Sequence, residues 1–193
     1  MAAALACAAA MARPASHLLE TPSHAVRLEV SEELRAVPGP EGDMLTAHLE
    51  LPSGTPLAST DWIADASQVR VVIRPLAPGT RSRAEGLLDR ALPTRSEQEP
   101  GRPWFVRRTL EGIGVYRLAT QDAWTFEGSD GAVVAVHMPG TPIHRTHLAS
   151  RRYGEHLEVV YHYGREHTDI RAMDAFVLTH LRAHVLSVAR TRR

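Results

Sequence analysis

The sequence predicts an α+β fold, a mostly antiparallel sheet covered by a short central helix and a long C-terminal helix. Three observations carry that expectation. Residues 104–165 form a run of segments in which apolar and polar side chains alternate, the period of half-buried strands. Short turn-forming stretches separate them, such as Gly128-Ser-Asp-Gly131, so neighbouring strands pair as hairpins. A single amphipathic stripe follows at once over residues 169–188.

Taken in order, residues 25–30 place Val26, Leu28 and Val30 on one face, which predicts a strand. Ser31-Glu-Glu-Leu34 adds a helical turn that Pro38-Gly39-Pro40 stops, and a second strand follows at 44–51. Residues 68–74 alternate again, with Val69, Val71 and Ile73 opposite Arg70 and Arg74. Ser82-Arg-Ala-Glu85 is a capping box, and Ala84, Leu87, Leu88, Ala91 and Leu92 recur at helical spacing before Pro93, which gives the central helix about three turns. Strands are predicted at 104–110 and 113–119 around Glu111-Gly112, at 123–127 and 132–138, and at 146–153 and 155–163. In the last of these Leu157, Val159, Tyr161 and Tyr163 share the apolar face. The terminal helix carries Ile170, Met173, Val177, Leu181, His184 and Val188 in one stripe, with arginines after it where the macrodipole favours cations.

The chain of 193 residues suits one domain, predicted over 25–190. Residues 13–24, with Pro14, Ser16, Thr21 and Pro22 and no periodicity, read as a linker. Residues 1–12 are apolar, too short to span a bilayer, and end in Ala10-Met11-Ala12, a small-x-small pattern before Arg13. They predict a secretory signal and export. Two alternatives stay open: a lipoprotein signal around Cys7, and an alanine-rich start without a targeting role.

Composition excludes several chemistries. The formal net charge is zero, which provides no long-range attraction to nucleic acid. All basic residues are arginines, so a phosphate-loop lysine, a Schiff base and a lysine base are ruled out. Cys7 is the only cysteine, so no disulfide forms within the chain. Gly128-Ser129-Asp130-Gly131 is a turn, not a Gly-x-Ser-x-Gly elbow. His144-x-x-His147 and His180-x-x-x-His184 have spacings that a metal tolerates, but no third ligand is fixed, and neither metal nor cofactor is predicted. The carboxylate pairs Asp61/Asp65 and Asp122/Glu127 carry no sign of a shared site, so no catalytic residue is assigned. Arg107-Arg108 and Arg151-Arg152 point one residue to each face of a strand and read as ion-pair partners for acids.

The expected contacts lie on loops held by the sheet. Residues 52–67 form a long connection with Asp61, Trp62 and Asp65. Trp62 reads either as a plug in the core or as a contact residue, the plug being the commoner use of an isolated Trp. The hairpin tip with Ser129 and Asp130, and the turn that holds His144 and His147, complete the set.

The block Trp104-Phe-Val-Arg-Arg-Thr-Leu-Glu-Gly-Ile-Gly-Val-Tyr116, the block Trp124-Thr-Phe-Glu-Gly-Ser-Asp-Gly131, the strand ending Tyr161-His-Tyr163 and the last helix with Met173-Asp174 together resemble the PsbP-like and DcrB-like α/β sandwiches. Within that group they resemble the periplasmic immunity proteins that neutralise phospholipase effectors of the type VI secretion system. The resemblance implies a non-enzymatic protein that binds one cognate toxin, a lipase-type effector, and blocks it. Those immunity proteins usually carry an additional domain, whereas the sequence pattern here predicts a single domain. The other implied reading is an envelope lipoprotein, or an assembly or carrier factor, that holds a lipid or a client protein and has a loose envelope association.

Overall fold

Alternation of β-branched and aromatic residues with polar ones builds most of this chain's regular structure as strands. The structure, a computed structural model, describes residues 14–58, 66–140 and 145–191. Strands β1 (Pro14–Glu20) and β2 (Ala25–Ser31) are followed by a 3-10 turn, Glu32–Leu34. Next come β3 (Val37–Pro38), β4 (Leu45–Glu50) and β5 (Gln68–Pro75), then helix α1 (Arg83–Arg90). Strands β6 (Trp104–Arg108), β7 (Gly114–Arg117), β8 (Gln121–Glu127), β9 (Val133–Pro139), β10 (Thr146–Tyr153) and β11 (Leu157–Gly164) lead into helix α2 (Ile170–His184) and strand β12 (Val185–Thr191).

Nine strands form one antiparallel sheet in the order β3-β4-β5-β11-β10-β9-β8-β7-β6, and a three-stranded sheet has the order β1-β2-β12. Successive hairpins from β6 to β11 give the run of neighbours β6-β7-β8-β9-β10-β11. The long connection through α1 sends the chain from β5 to the far edge at β6. Both edges are guarded against further pairing: β3 is two residues long and includes Pro38, and β6 carries exposed Arg107 and Arg108.

The core lies between one face of the large sheet and a layer made of α2 and the small sheet. Leu157, Val159, Tyr161 and Tyr163 of β11 are all inside it, as their alternation predicts, together with Leu45, Ala47, Leu49, Val69, Val71 and Ile73. From the covering layer come Leu19, Val26, Leu28 and Val30, and Met173, Val177 and Leu181 of α2. Helix α1 packs over β9 and β10 on the opposite face and buries Ala84 and Leu87.

The capping box of α1 is present as expected: the Glu85 backbone N–H donates to Ser82 Oγ, and the Ser82 backbone N–H donates to Glu85 Oε2 at 2.8 Å. The same carboxylate receives Arg152 through two nitrogens, Nη2 at 2.8 Å and Nε at 3.1 Å. That pairing, with the Ser82 contacts, pulls the Glu85 carboxyl down to about 2. It ties α1 to β10.

Two sequence expectations change. Residues 14–20, read within a linker, are a strand paired with β2 from Pro14↔Ser31 to Glu20↔Ala25, and Leu19 is in the core. The terminal helix stops at His184 rather than 188, and the chain continues as β12, paired with β2 from Val185↔Val30 to Thr191↔Ala25. Tertiary pairing wins there: the exposed edge of β2 offers a complete ladder of backbone partners, and Val185 and Val188 accept strand geometry readily. The leader of residues 1–12 lies outside the described residues.

Candidate functional site

One end of the large sheet gathers two hairpin turns and the start of α2. Strand β6 turns into β7 through residues 109–113, where Thr109 and Ile113 exchange backbone and side-chain hydrogen bonds and Gly112 adopts φ +79°. Strand β8 turns into β9 through residues 128–132, closed by the Gly128 N–H to the Ala132 carbonyl at 2.8 Å. Helix α2 begins beside them, with Asp169 as N-cap accepting from the N–H groups of Arg171 and Ala172.

Two arginines fix this end. Arg171 lies over the Phe126 ring at 4.8 Å and donates to the carbonyls of Glu127 at 3.2 Å and Glu111 at 3.1 Å, so one side chain joins both turns to the helix. Arg151 of β10, 0% exposed, donates from Nη1 to Asp174 Oδ2 at 2.6 Å and from Nη2 to Asp130 Oδ1. The Tyr161 hydroxyl donates to the other oxygen of Asp174 at 2.9 Å. A buried Arg thus sits between an acid of α2 and an acid of the hairpin tip. Burial alone would raise the Asp130 carboxyl, but the Arg151 charge overrides it and holds the group below its ordinary value. Burial, and next the Asp174 charge, push the Tyr161 hydroxyl well above its ordinary value. The hydroxyl therefore stays protonated as a donor.

Between α2 and the β6–β7 hairpin is a depression of about 660 Å³ floored by Ile113 and Trp124, with Asp169, Arg171 and Ala175 on the helix side and Glu111 opposite. Leu110, next in the chain to Glu111, is 108% exposed, the extreme case among the large apolar side chains of the described residues. A fully exposed apolar residue in the turn that borders this depression is chemistry for contact with another surface, since its burial on association releases apolar area from water.

The expected contact residues divide three ways. Ser129 and Asp130 are at this end: Ser129 is exposed, while Asp130 is partly committed to Arg151. Asp61, Trp62, Asp65 and His144 lie outside the described residues. His147 is 5% exposed, and its ring meets Tyr163 edge-on at 5.3 Å. It faces the interior of β10–β11 and is unavailable as a surface contact. Leu110, Trp124 and Arg171 were not singled out from sequence. An apolar Leu beside a Glu-Gly turn is the one signal that could have found Leu110.

Of the histidines that spacing offered to a metal, His144 lies outside the described residues and His147 packs on Tyr163. His180 meets Phe176 at 4.4 Å and stacks with His184 at 6.5 Å. Among the described residues no group of three or more His, Cys, Asp or Glu is arranged to hold an ion.

Burial, the leading cause in each case, lowers the pKa of His17, His137, His147, His162 and His184. A histidine with a depressed folded value binds its proton more readily unfolded, so stability is full above about pH 6.5 and falls as pH drops towards the folded values. Urea midpoints are therefore expected to fall between pH 7.5 and 5.0, and less steeply in His147→Phe, which keeps the aromatic contact with Tyr163. A midpoint that is flat or rises over that interval would contradict the assignment.

Comparison of the chain with protein-family models, with curated proteins and with solved structures finds no match. The surface chemistry stands as the available guide to function.

Proposed function

We propose that this chain is a non-enzymatic periplasmic binding protein that neutralises a secreted lipase-type toxin by direct contact, as an immunity protein does. The contact surface in this reading is the hairpin end of the sheet, with Leu110 and Ser129 as its exposed members and Trp124 lining the depression between them and α2. One observation carries the reading: Arg171 and Arg151 hold both hairpin turns against α2 through buried or carbonyl-directed hydrogen bonds. Turns fixed before binding lose little conformational entropy on association, which favours tight recognition by a rigid face. The resemblance in sequence supplies the class of partner.

The test uses the chain immobilised at moderate salt and exposed to a lysate of its source. Retention of one stoichiometric protein with lipase-type chemistry, and inhibition of its activity by the purified chain, is the expected result. Leu110→Asp leaves the fold intact because the side chain makes no core contact, and it is expected to weaken that complex by about tenfold or more. Recovery of lipids or a mixture of envelope proteins alone, or a complex indifferent to Leu110→Asp, would count against the proposal.

A further inference from the structure

The large sheet's other face carries a second concavity at its β3–β4 edge, remote from the hairpin-end groove and independent of the protein-binding reading. Its volume is about 250 Å³, and its lining among the described residues includes Arg35, Pro38, Met44, His48, Leu57 and Arg70. The apolar walls come from the β3–β4 hairpin and Leu57. The polar floor comes from the outward positions of β4 and β5, where Arg70 sits in register between His48 and His162.

Neither arginine has an acid. Two other buried or half-buried guanidinium groups of the sheet are paired, Arg151 with Asp130 and Asp174 and Arg152 with Glu85, whereas Arg74 shares with Arg70 a shielded Nε that has no hydrogen-bond partner. Arg35 and Arg70 make no salt bridge to a described residue, and no Asp or Glu is among the described residues that line the concavity. Arg70 Nε is also shielded from solvent without a hydrogen-bond partner. A shielded guanidinium donor without an acceptor is costly, and an anionic oxygen at this point would relieve it. Arg35 caps the preceding 3-10 turn at φ 51°, a left-handed conformation that favours glycine, so a bulky cation occupies a position that local geometry alone would not choose.

We propose that this concavity binds a small carboxylic acid with an apolar body, its carboxylate held by Arg35 and Arg70 and its chain laid against Pro38, Met44 and Leu57. The size supports that class. At about 30 Å³ per water, the space equals about eight water volumes, enough for an acid of about ten non-hydrogen atoms. Arginine forks match carboxylate geometry through parallel N–H bonds, and the walls reward the apolar remainder.

The experiment is isothermal titration of the full chain with octanoate at pH 7.5 and low salt, with 1-octanol as the uncharged control. Octanoate is expected to bind at least about tenfold more tightly than 1-octanol, and to shift the backbone resonances of Thr46 and His48 in NMR spectra. Arg70→Gln should weaken octanoate about tenfold. Because that side chain is partly buried, Arg35→Gly provides a second arm: it removes the other cation while relieving the left-handed backbone, so it should be at least as stable as the parent and still bind octanoate about tenfold less tightly. Equal binding of octanoate and 1-octanol, or unchanged octanoate affinity in a folded Arg35→Gly variant, would overturn the proposal.

Discussion

Replacing Arg151 by Ala is expected to destabilise the protein by about 3–5 kcal/mol, because it strips the cation from a buried acid rather than removing a pair. Asp174 is 2% exposed and would keep only the Tyr161 hydroxyl, a neutral donor, against its charge. The loss would be a large part of the 5–15 kcal/mol that holds an ordinary domain together. Urea denaturation with linear extrapolation measures it. Removing both buried charges at once isolates the cause: Arg151→Met with Asp174→Leu is expected to cost less than Arg151→Ala alone, since it leaves only the partly exposed Asp130, which water can solvate, and the neutral Tyr161 hydroxyl without their partners. Asp130→Ala should be milder, about 1 kcal/mol, because that side chain is partly exposed and water can replace it. A cost below about 1 kcal/mol for Arg151→Ala would mean that the network does not support the fold. The same variant bears on recognition, since releasing Asp130 frees the hairpin tip that carries Ser129.

The arginine pair shows how far local sequence reaches. Adjacent positions on a strand point to opposite faces, so Arg151-Arg152 had to send one guanidinium inward and one outward, and both needed acids. Which acids they meet depends on contacts 21, 23 and 67 residues away in the chain, and no local pattern encodes those. The apolar faces of β5 and β11 were legible because Val69, Val71 and Ile73, and Leu157 to Tyr163, alternate without interruption. Strand β1 was not, because its inward positions are Ala15, His17 and Leu19, and only Leu19 is strongly apolar and fully buried. Strand β12 was hidden by its own irregularity. A register shift between Val185 and Ser187 spaces the partly buried Val185 and Val188 three residues apart, a spacing that a helix shares, so the strand reads as a continuation of α2. The contact surface was half legible. Turn chemistry located the 128–131 tip, but the depression beside it exists only because α2 crosses the sheet at Trp124.

Gly54→Ala is expected to cost about 2–5 kcal/mol, from two separable effects. Gly54 follows β4 in a tight turn, where its N–H donates to the Glu50 carbonyl at 2.8 Å, and its φ is +75°. A side chain there must adopt the left-handed region, which costs about 1–2 kcal/mol. The new Cβ would also overlap Nε2 and Cε1 of His180. That ring has little freedom to withdraw: its Nδ1 is 2.8 Å from the Phe176 carbonyl, and it packs between Phe176 and His184. The turn or the end of α2 must therefore move, which adds an overpacking penalty of about 1–3 kcal/mol. Gly79 supplies the control. Its φ is +72°, and nothing lies within 4 Å of the Cβ position, so Gly79→Ala should show the backbone part alone. The difference between the two variants reads the contact with His180, and Gly54→Ala combined with His180→Ala should recover most of that difference. Equal costs at the two glycines would show that α2 does not rest on the β4 turn. In that case the helix end, and with it the start of β12, would owe its position to the pairing with β2.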